Sequence, residues 1–134
     1  MKFFTIKELC KSTVAEYNDI DNTPNDEQEK NLIQLIEKAL DPIRGTFGRP
    51  ITVNSGFRCK ELNDKVKGSK TSDHMKGMAA DITSSDNKKL WDTIILLNKR
   101  GIVQFDQLIN EYNLKWIHIS YNKNKLRNQI FKIG

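Results

Sequence analysis

The chain has 134 residues, of which 37% are hydrophobic and 29% charged, a balance that fits one folded domain of ordinary size and excludes a disordered chain. Its apolar runs all stop well short of the roughly 20 residues that span a bilayer, so no membrane span is expected. The net charge of +5 is scattered, densest in Lys65-Val66-Lys67-Gly68-Ser69-Lys70 and Lys123-Asn124-Lys125-Leu126-Arg127; it favours anionic partners such as cell-wall polymer or nucleic acid, but such charge most often only keeps a small domain soluble.

The chain opens Met1-Lys2-Phe3-Phe4-Thr5-Ile6-Lys7-Glu8, with no apolar stretch ahead of its first acidic residue. It does not read as a secretory signal, so the protein is expected to remain in the cytoplasm or to leave by a route its sequence does not encode. Cys10 and Cys59, 49 positions apart and outside any C-x-x-C pair, are expected to be free, mostly buried thiols.

Thr5-Ile6-Lys7-Glu8 has the form of a capping box and predicts a short helix through Ser12 or Ala15. The Asn- and Asp-rich stretch 18–25 reads as loop. Thr23-Pro24 then predicts a helix start, with the threonine as cap and the proline in the first turn. Leu32, Ile33, Leu35, Ile36, Ala39, Leu40 and Ile43 recur at helical spacing, and Pro42 or Gly45 is expected to end the helix. A short strand is predicted over 50–54, followed by a long polar stretch to Asp73, in which Leu62 and Val66 suggest a helical turn or two. Residues 79–83 read as a strand and 87–100 as a helix capped by Gly101, with Leu90, Ile94 and Leu97 on its buried face and Trp91 in the core. Two strands, 105–112 and 114–121, form a hairpin around Asn113. Helices first and clustered strands later predict an α+β fold: one domain over 1–134, with N-terminal helices packed on a small, mainly antiparallel sheet.

The only histidines are His74 and His118. A lone histidine is more often structural than a ligand, but these two stand in telling contexts. In Trp116-Ile117-His118-Ile119-Ser120 the alternation turns both isoleucines to one face and the imidazole to the other. Asp81 lies inside the apolar strand Met78-Ala79-Ala80-Asp81-Ile82, where an unpaired carboxylate is costly. A metal ion justifies it, and zinc takes both imidazole nitrogen and carboxylate oxygen. Gly77 allows the reversal that brings His74 back over Asp81. Three such ligands leave one tetrahedral position open for a water made nucleophilic near neutral pH, the catalytic pattern.

Ser72-x-His74-x-x-Gly77-x-Ala79-Ala80-Asp81-Ile82, followed by Trp116-x-His118, resembles the M15 family of zinc D-Ala-D-Ala carboxypeptidases. Ser55-Gly56-Phe57-Arg58, Leu62-Asn63 and Val66-x-Gly68 extend the resemblance over about 51–121, and Phe4-Thr5-x-x-Glu8-Leu9 with Asn31-Leu32 is similar to the subgroup of Bacteroides-type bacteria and their phages. The resemblance implies a Hedgehog/DD-peptidase-like fold and a zinc ion on His74, Asp81 and His118. It implies that Arg58 polarises the scissile carbonyl or holds the substrate, and that Ser72 offers a hydroxyl to the substrate; without the motif, Arg58 would read as a surface ion pair and Ser72 as a loop hydroxyl bonded to nearby backbone. Many members carry the general base three residues before the last histidine, where this chain has Lys115. The nearest carboxylates are Glu111 and Asp106, and the segment 105–111 resembles the related zinc site of Hedgehog domains. Glu111 is therefore expected to be the base, and Asp106 either orients His74 or His118 from behind or is an exposed hairpin charge. Trp116 is either an apolar wall of the cleft or plain packing.

The expected function is zinc-dependent hydrolysis of peptidoglycan stem peptides, at D-Ala-D-Ala or at an internal bond. The absent signal favours a phage or prophage lysin, made in the cytoplasm and acting on the cell wall. A non-catalytic zinc module of the same fold, binding cell-wall or protein partners, is the alternative, and Lys115 gives it weight. Nucleic acid is not an expected partner, because no recognised binding motif accompanies the charge. The sequence carries no sign of an oligomeric state.

Overall fold

Residues 1–134 are described by a computed structural model. In chain order it contains α1 (Ile6–Cys10), α2 (Thr13–Tyr17), α3 (Asp26–Leu35), a π-type segment (Ile36–Leu40) leading directly into α4 (Asp41–Phe47), β1 (Thr52–Ser55), α5 (Lys60–Lys65), a 3-10 turn (Asp73–Lys76), β2 (Ala79–Thr83), α6 (Asn87–Lys99), β3 (Gln107–Glu111), β4 (Trp116–Ser120) and β5 (Gln129–Ile133). The fold is α+β, as the order of elements predicts. No helix is long and apolar enough to cross a membrane.

The five strands form one sheet in the order β1-β2-β4-β3-β5. Three of its pairings are antiparallel and the fourth, β3 with β5, is parallel. The register sets Asp81 opposite His118, and His118 opposite Ile109, so these three residues form one row across the middle of the sheet. Because side chains alternate along each strand, Ala80, Ile82, Leu108, Ile117 and Ile119 all turn to the other face. There they join Leu32, Leu35, Ile36, Leu40 and Ile43 of the α3–α4 run and Leu90, Ile94 and Leu97 of α6 in a core of 22 buried residues. Trp91 and Ile95 pack against that core half-buried. Helices thus cover one face of the sheet and leave the Asp81–His118 face for chemistry.

Three helix ends differ from the sequence expectation. Ser12 caps a separate α2 through its hydroxyl, which accepts from the Ala15 N–H, so the first helix is split in two. The third helix is capped by Asn25, not Thr23: Asn25 and Gln28 close a reciprocal capping box, while Thr23 bonds back to Asp21. Pro42 and Gly45 do not end the helical run. The π-type segment changes the bonding to i→i+5, with the Asp41 N–H on the Ile36 carbonyl, and Pro42 follows at the start of α4, where its lack of an N–H does least harm. Gly48, with φ of 77°, terminates it.

β5 was not foreshadowed. Every one of its residues is exposed, so it carries no buried period, and its parallel partner β3 is remote in sequence. The chain reaches it through Asn128, whose side-chain oxygen accepts from the Phe105 N–H and from the Asn98 amide. Arg127 completes the anchor. Its guanidinium donates from Nε and Nη2 to the two carboxylate oxygens of Asp106, at 2.6 and 2.9 Å.

Asp106 is 2% exposed. This corrects the expectation on both counts: it is neither an exposed hairpin charge nor a partner of His74 or His118, because both its oxygens are taken by Arg127. Those bonds outweigh the upward push of burial and hold its carboxyl below the ordinary value. The stabilisation they give is therefore full above about pH 4 and is lost as the pH falls through the lower folded value. Asp106→Asn is expected to cost about 1–3 kcal/mol of stability at neutral pH, with the difference from wild type shrinking below pH 4; urea unfolding at both pH values checks this.

Cys10 and Cys59 are free and half-buried. Burial, with Glu29 adding to it, pushes the Cys10 thiol up to about 11, so it stays protonated and unreactive at neutral pH. Cys59 caps α5 through its sulfur.

Candidate metal centre

The site begins with the turn that carries His74. Ser72 caps the 3-10 turn by accepting from the His74 N–H at 3.2 Å. Gly77 then reverses the chain at φ of 74°. A side chain there would be strained, and would also run into the Gln28 carbonyl of α3. From α3, the Gln28 and Asn31 amides donate to the Met75 and Lys76 carbonyls. The turn is thereby clamped between helix and sheet, and His74 is 3% exposed.

Its ring is oriented as firmly. His74 Nδ1 lies 2.7 Å from the Gly56 carbonyl, which can only accept, so Nδ1 carries the hydrogen. In the neutral ring the lone pair is then on Nε2, which faces Asp81 Oδ1 at 3.4 Å. His118 Nδ1 lies 3.0 Å from the same oxygen. The two imidazole rings meet edge-on, with centroids 5.3 Å apart. The three donor atoms lie within 4.8 Å of one another.

Such a group needs a cation. A lone pair turned toward a carboxylate is repelled unless a proton or a metal ion lies between. Burial pushes the Asp81 carboxyl up, but with the imidazoles of His118 and His74 protonated, their hydrogen bonds and charges outweigh it and hold the group well below the usual carboxylate range; with His74 neutral, a metal ion takes the place of that proton. Asp81 thus remains an anion with two nitrogens turned toward it. Two imidazoles and one carboxylate suit zinc, and three protein donors leave a fourth tetrahedral position. The residues present therefore fit a divalent metal.

Around this centre stand the other residues singled out in the sequence. Arg58 donates its backbone N–H to the His74 carbonyl at 3.0 Å. Arg58 lines a cleft together with Asp81, and its Nε is buried without a partner. Burial lowers the guanidinium pKa and the Asp81 charge raises it in part. Glu111 ends β3 opposite Trp116, the next pair along the ladder on the Asp81–His118 face. One of its oxygens accepts from the Trp116 indole N–H at 3.0 Å. Trp116 also packs its ring on Tyr112 at 5.1 Å, so its indole has a polar task as well as an apolar one. Lys115 is exposed in the hairpin turn, where Tyr112, Asn113 and Leu114 all have positive φ.

Three contributors to the site had no role assigned from the sequence. The Gly56 carbonyl orients His74, although Gly56 stood in a quoted motif; any Cβ on it would strike the Leu9 carbonyl of α1. Gln28 and Asn31 hold the His74 turn from a helix far away in the chain, and only Asn31 carried a signal.

Two histidines and an aspartate disposed in this way are the donor set of hydrolytic metalloenzymes. A family model described as Peptidase M15 matches residues 2–120, and the chain belongs to that family, whose members are metallopeptidases. A comparison with curated proteins finds no match.

Proposed function

We propose that the protein is a zinc peptidase that hydrolyses peptide bonds in peptidoglycan stems, working through His74, Asp81 and His118 as metal ligands. The observation that carries the proposal is the convergence of these three side chains, with the His74 lone pair fixed toward Asp81 by the Gly56 carbonyl. When bound, zinc supplies Lewis-acid polarisation and lowers the pKa of water.

The chain's own groups supply the rest. Glu111 takes a proton from the attacking water, whose oxygen bonds to the carbonyl carbon; as the C–N bond breaks, the same carboxyl returns the proton to the leaving amine nitrogen. Arg58, with an unmatched buried Nε, offers its guanidinium to the carbonyl oxygen as negative charge develops there. Ser72 and the flank of Trp116 are assigned to the substrate side. Asp106 is left out, being held by Arg127.

The Trp116 indole keeps the Glu111 carboxylate in one orientation. Trp116→Phe preserves an aromatic ring and removes that donor. It is expected to lower kcat about fivefold, the equivalent of roughly 1 kcal/mol, with KM and zinc content unchanged; steady-state kinetics and metal analysis check both.

The binding-module reading rested on Lys115 at the usual base position. The exposure of Lys115 and the place of Glu111 on the metal face favour hydrolysis instead. The single core, which gathers residues from Phe4 to Tyr121, supports one domain over 1–134. Action on the cell wall follows from the substrate assigned, and a phage or prophage lysin is the setting proposed for it. The test is incubation of the zinc-loaded protein with purified muropeptides, read by mass spectrometry. Zinc-dependent release of D-alanine or of a stem fragment is expected, and intact muropeptides would refute the proposal.

A further inference from the structure

Beside the metal centre lies a cleft of about 570 Å³. Its lining runs unbroken along residues 51–58, which is β1 and its flanks, and includes Asp81. Glu8 of α1, residues 11–14 at and beyond the α1–α2 junction, and Leu62 and Val66, at α5, complete it.

β1 is an edge strand that pairs only with β2. Outside that ladder, residues 51–55 make no backbone hydrogen bond. Its outer N–H and C=O groups are therefore open to an added strand, and an extended peptide is the natural occupant. The C-terminal end of β1 lies at the metal centre, because Ser55 is opposite Asp81 and the next residue, Gly56, holds His74. Four strand residues measure about 13 Å, so a chain laid along β1 from Asp81 contributes roughly three or four residues. On the facing wall, Glu8 and Lys11 are both exposed, and neither forms an ion pair within the protein. One carboxylate and one ammonium there match a peptide that carries one of each in its side chains.

The geometry points to a substrate groove along the free edge of β1. It takes an extended peptide as an added strand, meets a peptide carboxylate with Lys11 and a peptide amine with Glu8, and leads the backbone to Arg58 and Asp81. This rests on the peptidase reading of the metal centre and adds where the rest of the stem lies. It also explains a contact that the motif-bearing core alone does not require: α1 is tied to the strand end by the Leu9 carbonyl, which accepts from the Phe57 N–H at 2.7 Å.

The test is amide NMR of the full zinc-loaded chain, titrated with two probes whose terminal bond is reduced so that it cannot be cut. One is a pentapeptide with a γ-linked D-glutamate, an internal lysine and a D-Ala-D-Ala end; the other is D-Ala-D-Ala alone. The pentapeptide is expected to shift the amides of Val53, Asn54 and Ser55 and of the α1–α2 junction. Lys11→Glu is expected to weaken it about tenfold and to leave the dipeptide unaffected. Shifts confined to the surroundings of His74 and His118, with Lys11→Glu binding the pentapeptide like wild type, would overturn the groove. Zinc-dependent hydrolysis without shifts along β1 refutes the groove and leaves the peptidase reading standing; shifts along β1 without hydrolysis support the groove and count against the peptidase.

Discussion

His118→Ala is expected to strip the protein of zinc and to reduce hydrolysis to background, a loss of at least about a thousandfold. The imidazole projects from the middle strand of the sheet, 3.0 Å from Asp81 Oδ1, and its strand neighbours Ile117 and Ile119 are fully buried on the other face. Removing the ring therefore leaves the core intact and deletes one of three donors. Two protein ligands hold zinc far more weakly than three, and without the ion neither the carbonyl nor the water is activated. The fold should survive, because the ring lies on the sheet face opposite the core cluster and is not one of its members. Zinc content by mass spectrometry, activity on muropeptides and circular dichroism together check the claim. A variant that keeps a full equivalent of zinc on the same site would contradict it.

Glu111→Gln separates chemistry from binding. The amide keeps the shape and can still accept from the Trp116 indole, but it cannot take a proton. A positioned general base contributes about a hundredfold to ten-thousandfold, so kcat should fall by that range while zinc content and KM hold. The side chain is half-buried at the end of β3, and the amide keeps its bond to the Trp116 indole, so stability should hardly change. If Glu111→Gln turned over like the parent, another group would have to be the base. Lys115→Ala, by contrast, is expected to be silent, since that side chain is exposed in the turn.

How far the sequence anticipated the site depended on how locally each part is encoded. The alternation around His118 told which face the imidazole takes, because a period of two is written into adjacent residues. Asp81 stood out because a carboxylate inside an apolar strand demands a partner, and Gly77 because a tight reversal demands positive φ. These are short-range statements, and they sufficed to single out the three residues that the fold brings together. The orientation of His74 was not legible, since a backbone carbonyl has no sequence signature; Gly56 is visible only as a glycine. Asp106 was misjudged for a related reason. Its partner Arg127 lies 21 positions on, within a basic run that reads as solvated charge. β5 escaped because an edge strand exposed on all its residues shows no burial pattern. The helical run past Pro42 escaped because a proline stop assumes ordinary α bonding, and the π-type segment alters that bonding one residue earlier.

The helix-to-sheet clamp on the His74 turn also shows how a local motif becomes rigid. Gly77 packs against the Gln28 carbonyl, and the Gln28 and Asn31 amides bind the turn's own carbonyls. A side chain held so firmly is pre-oriented, which would favour metal capture without a large ordering cost.

X-ray absorption at the zinc edge, on protein loaded with one equivalent of the ion and passed through a desalting column, puts the central idea to its most direct trial. The coordination expected is two imidazole nitrogens at about 2.0–2.1 Å and a carboxylate oxygen at about 2.0–2.2 Å, with a further light-atom ligand. Zinc lost on the column, or a spectrum without imidazole scattering, would mean that His74, Asp81 and His118 do not share an ion.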